Sequence, residues 1–218
     1  MAAKAVVFDL YGTLIDDASP ADYRAYNGEV ARMLGADPER FVQLWHDHDR
    51  SRYTMPIEEC FDALCTELGI SDYAHVLEAR RERLRSLLVP RPDAVATLRE
   101  LRERGLKLGM ISNATSELSA LWAESEFHGL FDAVLFSADE RMMKPDPRLY
   151  RRMAELLDVA AEDCVFVGDG AYRELQGAEA VGMTPVLIRV PYDEHEHEGT
   201  IGWEGLRVSS LSEVLALV

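Results

Sequence analysis

A candidate nucleophile, candidate cation ligands and a counter-charge are spread over four short stretches of this chain. Asp9 closes an apolar run over residues 5–8 and is followed by Leu10, Tyr11, Gly12 and Thr13. Ser112 and Asn113 close a second apolar run, and Lys144 stands before Pro145. Asp169 lies between Gly168 and Gly170 behind the apolar residues 164–167, and Glu174 follows on the next helix. A carboxylate can attack an electrophile and form a covalent intermediate. Several carboxylates together can hold a hard divalent cation through oxygen; without a cation they would repel one another. A lysine beside them would offset both a carboxylate and an anionic substrate. Any one of these residues alone reads as the polar end of a strand or as a solvated surface group.

The elements that must bring them together alternate between strand and helix. Residues 5–8 read as a buried strand. From residue 93 the pattern runs helix to about 104, strand 106–112, helix 116–126, strand 133–137 and helix 146–157. It continues as strand 164–168, helix 171–181 and strand 184–190, with an edge strand at 206–208 and a short helix at 211–218. Continuous apolar strands separated by helices specify an α/β protein with a parallel sheet covered on both faces. In such a sheet the carboxyl ends of the strands share one edge, where ligands bind. Asp9, Lys144 and Asp169 follow predicted strands, and Ser112 ends one. Residues 17–89 carry no strand signal. Their apolar residues recur at helical spacing and are divided into about four helices by breakers at 35–38, 56 and 69–71, with Ser19-Pro20 as the opening cap. The expected organisation is a core of residues 1–16 and 90–218 with a four-helix insert over 17–89.

The 218 residues are 48% hydrophobic and 28% charged, an ordinary globular composition. The net charge of −16 argues against a nucleic-acid partner and against adsorption to an anionic membrane. It does not argue against a small anionic substrate, because a lysine and a cation make a locally positive pocket on an acidic protein. No apolar run approaches the ~20 residues of a membrane span, and no signal peptide is evident, so a cytoplasmic location is expected. The odd set Cys60, Cys65 and Cys164 fits no zinc spacing and reads as buried reduced thiols.

Four motifs, Asp9-Leu-Tyr-Gly-Thr13-Leu, Ile111-Ser112-Asn113, Lys144-Pro-Asp-Pro and Val167-Gly-Asp169-Gly-Ala-Tyr-Arg-Glu174-Leu-Gln-Gly177-Ala, together resemble the haloacid dehalogenase-like hydrolase superfamily over essentially the whole chain. The resemblance implies a Rossmann-like three-layer core with an inserted α-helical cap. It implies Asp9 as nucleophile and Mg2+ bound by Asp9, the Tyr11 carbonyl, Asp169 and Glu174. Ser112 would bind an oxygen of the substrate, Lys144 would neutralise charge, and the backbone of Leu10 and Gly12, together with Asn113, would line the anion site. Thr13 belongs to the same catalytic motif. The implied activity is hydrolysis of a small phosphorylated metabolite through an aspartyl-phosphate.

Tyr11 departs from this pattern. The family's phosphatases usually carry a second Asp there as acid and base, and a phenol with pKa near ~10 cannot cycle protons in that way near neutrality. The Asp-x-Tyr-Gly-Thr-Leu form is instead similar to the family's 2-haloacid dehalogenases, whose halide leaves without a proton and which use no metal. Against that alternative stand Asp169 and Glu174, and His46 rather than an Arg after Trp45. A third possibility is a weakly active binding member of the fold. Among other residues, His46 lies in a polar stretch that reads either as facing substrate or as a solvated helix face, while Tyr150 reads as a core aromatic on its helix. Asp16 and Asp17 fall in the hinge between core and insert. His195 and His197 read as part of an acidic loop over 193–198. The oligomeric state is open between monomer and homodimer.

Overall fold

The computed structural model describes residues 3–193 and 196–218. His195 falls outside them. Six strands form one parallel sheet in the order β3-β2-β1-β4-β5-β6: β1 Ala5–Phe8, β2 Lys107–Ser112, β3 Ala133–Phe136, β4 Cys164–Gly168, β5 Thr184–Ile188 and β6 Leu206–Val208. β1 pairs with β2 on one side and with β4 on the other, Phe8 standing level with Met110 and Val167. The chain therefore reverses its winding at β1, and the end of β1 is the topological switch point of the sheet. Successive strand residues point to opposite faces. Val6, Phe8, Met110 and Val167 accordingly join one buried cluster, and Ala5, Val7, Ile111 and Phe166 join another. A two-sided apolar strand is stable only with helices over both faces, which is the three-layer core expected from its composition.

The segment between β1 and the rest of the sheet is helical: α1 Pro20–Met33, α2 Pro38–Asp47, α3 Asp49–Arg52, α4 Ile57–Leu68 and α5 Ala74–Leu87. Ser19 caps α1 by accepting from the Asp22 amide at 3.1 Å, and Asp37 caps α2 by accepting from the Arg40 amide at 2.9 Å. Both caps are followed by Pro at the first helical position. Five helices stand where about four were expected, because the single turn α3 separates off after His48. The segment has its own apolar cluster, centred on Phe41, Trp45, Phe61 and Leu64. The two connecting strands of chain meet: Ile15 bridges Pro90, the Arg91 amide donates to Leu14 O at 2.8 Å, and the Arg91 side chain donates to Asp16 at 2.9 Å.

The remaining helices are α6 Ala94–Glu103, α7 Ser116–Leu121, α8 Ser137–Glu140, α9 Pro147–Leu157 and α10 Glu174–Glu179. The single turn α8 was not expected. The expected helix over 171–181 is broken. Residues Ala171–Arg173 form a 3-10 turn in which Tyr172 and Arg173 both have left-handed backbone, and the α-helix proper begins only at Glu174. The C-terminal helix is also 3-10, Leu211–Ala216. All three cysteines are buried and free. No helix among the described residues is long and apolar enough to cross a membrane.

Candidate active site

Asp9 follows β1 directly and is 4% exposed. Its amide continues the ladder by donating to Val167 O at 2.9 Å, which fixes its Cα at the switch point. One carboxylate oxygen accepts from the Lys144 ammonium, and the other accepts from the Thr13 hydroxyl at 3.4 Å. Burial pushes the Asp9 carboxyl up to about 6, and the neighbouring Asp169 adds to this, while Lys144 and the Leu10 amide oppose it. The Leu10 side chain is buried in the core, so of that residue the backbone is what meets the site. Gly12 turns the chain back with φ +70°, and a Cβ there would stand 2.1 Å from Asp169 Oδ2. Glycine is required at this point both for the left-handed backbone and for the close approach of the two loops.

Lys144 is 2% exposed. Its backbone is clamped by Asn113, whose Oδ1 accepts from the Lys144 amide at 2.8 Å and whose Nδ2 donates to the Lys144 carbonyl at 3.2 Å. Asn113, expected at the substrate, therefore spends its side-chain amide on positioning the lysine. The ammonium reaches Asp9 and also Glu174 Oε2, at 2.5 Å. Burial works against its charge, but Asp9 and Glu174 outweigh burial and hold it above the usual lysine range. Ser112, at the end of β2, is fully buried and its hydroxyl has no partner among the described residues. A buried hydroxyl is costly when unpaired, and an anionic oxygen entering the site would satisfy it.

The other two carboxylates come from the loop after β4. Gly170 has φ +91°, and the two left-handed residues that follow fold Glu174 back over the strand end. Its carboxylate lies so close to the strand that a Cβ on Gly168 would stand 2.1 Å from Glu174 Oε1. The Gly170 amide donates to that oxygen at 3.0 Å, and the Ala171 amide donates to Asp169 Oδ1 at 2.9 Å. Asp9, Asp169 and Glu174 each present an oxygen within 4.8 Å of the others. Burial, reinforced by Asp9, pushes the Glu174 carboxyl well above its usual range. Asp169 is held below the usual range: burial raises it, but a hydrogen bond from His197 and the Ala171 amide overcome burial.

Two residues of this site were not read as functional in the sequence. His197, placed in an acidic loop, stands with Nε2 2.9 Å from Asp169 Oδ2, and that contact holds its imidazole above the usual range. Tyr150 is a fully buried core aromatic, as expected, and its hydroxyl also donates to the Glu174 carbonyl at 2.9 Å, fixing the start of α10. From the helical segment, Tyr53 stacks edge-on against Tyr172 at 6.0 Å, and Arg80 pairs with Glu117 at the start of α7. His46 is exposed on α2, whereas Trp45 beside it is buried. Tyr11 is partly exposed. Burial raises its hydroxyl far above the usual range, and Tyr53 and Asp17 act in the same direction.

A buried carboxylate at the switch point of a Rossmann-like parallel sheet, bridged by a buried lysine to an acidic loop, is a candidate active site. The family model for haloacid dehalogenase-like hydrolases matches residues 3–182, and the chain belongs to that family. It is 32% identical to Phosphatase MT3486 of Mycobacterium tuberculosis, over 86% of this chain and 88% of that protein. It is 31% identical to (S)-2-haloacid dehalogenase 4A of Burkholderia cepacia, over 99% of this chain and 94% of that protein. Among solved structures, a phosphatase of the same family from Thermococcus onnurineus superposes with a TM-score of 0.70 at 25% identity, covering 98% of this chain and 97% of that one. The family thus includes relatives of both chemistries.

Proposed function

We propose that this hydrolase is a Mg2+-dependent phosphatase of a small phosphorylated metabolite, with residues 17–89 acting as a cap over the substrate. One observation carries the reading: three carboxylates meet within 4.8 Å around a single ammonium. That set crowds more carboxylates than the ammonium can offset, which favours a divalent cation, and hard oxygen donors suit Mg2+. Asp9, Asp169 and Glu174 would hold the ion, with the Tyr11 carbonyl as the further ligand that the family pattern assigns. When bound, Mg2+ would supply charge neutralisation to the phosphoryl oxygens.

The protein's own residues account for the rest. An oxygen of Asp9 attacks phosphorus while the ester P–O bond breaks and the leaving oxygen takes the electron pair. Water then attacks the aspartyl-phosphate, releasing inorganic phosphate and restoring Asp9. The Lys144 ammonium keeps Asp9 ionised, and the Ser112 hydroxyl donates to a phosphoryl oxygen. Tyr11 occupies the position from which the leaving group would be protonated. Its phenol stays neutral, so it cannot act as the base for water. The enzyme is therefore expected to favour aryl over alkyl phosphates, because a phenolate leaves without an acid. Tyr11→Asp raises turnover of an alkyl phosphate by about tenfold or more relative to an aryl phosphate. An unchanged alkyl-to-aryl ratio would rule out this role for Tyr11.

The direct test is calorimetric titration of Mg2+. Wild type binds, and Asp169→Ala binds at least about tenfold more weakly. Protons compete for the same ligands, because the Asp9 carboxyl is raised to about 6 and Glu174 is raised as well. Below about pH 6 the Asp9 carboxyl is protonated and resists the cation, and above it the carboxyl is anionic; the raised Glu174 carboxyl acts in the same direction. Mg2+ affinity therefore rises between pH 5 and 7.5, and binding near pH 6 releases protons, read from the dependence of the heat on buffer ionisation enthalpy. A flat pH profile would contradict the ligand assignment.

A second reading is favoured by Tyr11 and by the dehalogenase relative: 2-haloacid dehalogenation, in which Asp9 attacks the halogen-bearing carbon and halide departs unprotonated. Halide release from a 2-halo acid in EDTA, with no Mg2+ binding, would replace the phosphatase reading.

A further inference from the structure

We infer that His197 is a positioning residue for the cation site, acting through Asp169, and that the 197–200 turn is a splint for the acidic loop after β4. The inference rests on the Mg2+ reading above. Asp169 is held at both oxygens: Oδ1 by the Ala171 amide at 2.9 Å and Oδ2 by His197 Nε2 at 2.9 Å. Two bonds from different elements remove the rotational freedom of a carboxylate and leave its remaining lone pairs aimed into the site. Without His197, one local bond from its own loop would hold it.

The turn that carries His197 is fitted closely against this loop. The Thr200 hydroxyl and amide both donate to the His197 carbonyl, at 2.8 and 2.9 Å, closing the turn. Thr200 is 1% exposed, and its methyl fills the space over Gly170, where a Cβ would come within 2.0 Å of it. A Cβ on Gly199 would stand 3.1 Å from the Gly170 carbonyl and 3.3 Å from Arg173 Cα. Gln176 Nε2, on α10, donates to the Gly199 carbonyl at 2.7 Å. The loop being braced contains the two consecutive left-handed residues Tyr172 and Arg173, a conformation costly for side chains with a Cβ and maintained only by surrounding contacts. The splint thus supports the segment that presents two of the three carboxylates.

The test compares His197→Ala with His197→Gln in the full chain. Gln keeps an N–H donor at similar reach, whereas Ala removes it. The His197 side chain is 27% exposed, so its truncation opens no core cavity. His197→Ala is expected to weaken Mg2+ binding by about tenfold or more in calorimetric titration, with Gln restoring affinity to within about threefold of wild type. With an aryl phosphate, saturating Mg2+ restores kcat of His197→Ala, because the lesion lies in holding the cation ligand. Wild-type Mg2+ affinity in His197→Ala, or equal weakening in Ala and Gln, would overturn the positioning role. If wild type and Asp169→Ala both fail to bind Mg2+, the metal reading itself fails and the inference falls with it, an outcome distinct from the first two.

Discussion

Asp9→Asn lowers turnover by more than about 10³-fold with every substrate, equivalent to more than about 4 kcal/mol of transition-state stabilisation. Asn has nearly the same shape: its side-chain oxygen still accepts from Lys144, and its Nδ2 can donate to the Thr13 hydroxyl oxygen in place of the bond that the second Asp9 oxygen accepts. The fold and the lysine position are therefore retained. What is lost is the anionic oxygen that forms the covalent bond, and an amide oxygen is too poor a nucleophile to replace it. The result holds for attack on phosphorus and for attack on carbon, so the variant tests the shared element of both chemistries. Steady-state kinetics on an aryl phosphate and on a 2-halo acid, with a thermal melt to show an intact fold, would measure it. More than about a tenth of wild-type activity in Asp9→Asn would remove Asp9 from the nucleophile's role.

Glu117→Ala destabilises the protein by about 3–5 kcal/mol, the usual cost of leaving a buried charge without its partner. Glu117 receives two bonds from Arg80, at 3.2 and 2.9 Å, and a third from the Thr115 hydroxyl at 3.0 Å. Arg80 itself is 5% exposed and lies over the rings of Trp45 and Phe61, at 4.9 and 5.4 Å. The Glu117 side chain is wholly inaccessible, so water cannot take the place of the lost carboxylate. The pair joins α5 of the helical segment to α7 beside the sheet, 37 residues apart in sequence. At the scaling typical of a chain this long, the melting temperature falls by roughly 10 °C. Removing both charges, as Arg80→Met with Glu117→Leu, recovers most of the loss, since an apolar pair of similar volume carries no desolvation cost. A Glu117→Ala variant that melts within 1–2 °C of wild type would show that the pair contributes little.

What could be read from the sequence was local. β1 and β4 were legible because a strand buried on both faces is a short continuous apolar run that begins and ends where the composition changes. The cap at Ser19 was legible because a capping side chain bonds an amide three residues on, whereas the cap at Asp37 lay inside the stretch read as a breaker over 35–38. Asp9, Ser112, Lys144, Asp169 and Glu174 could be listed as one candidate site because the carboxyl ends of parallel strands share an edge, whatever the loops between them do. Three decisions were left to the tertiary structure. The left-handed pair Tyr172 and Arg173 has no helix-breaking residue to announce it, and only packing against the 197–200 turn and the return of Glu174 to the site select it. Asn113 looks like a substrate ligand until the Lys144 backbone, 31 residues away, takes both of its side-chain groups. His197 sits in a polar stretch without periodicity, and its meeting with Asp169, 28 residues earlier, depends on how the chain returns after β5. The reason is the same in each case. Propensity, period and capping act over a few residues, whereas the partners that give a polar side chain its task are chosen by where distant segments dock. The chain's own order thus brought Asp9, Asp169 and Glu174 forward as candidates at one sheet edge, and the folded molecule decided what holds them in place.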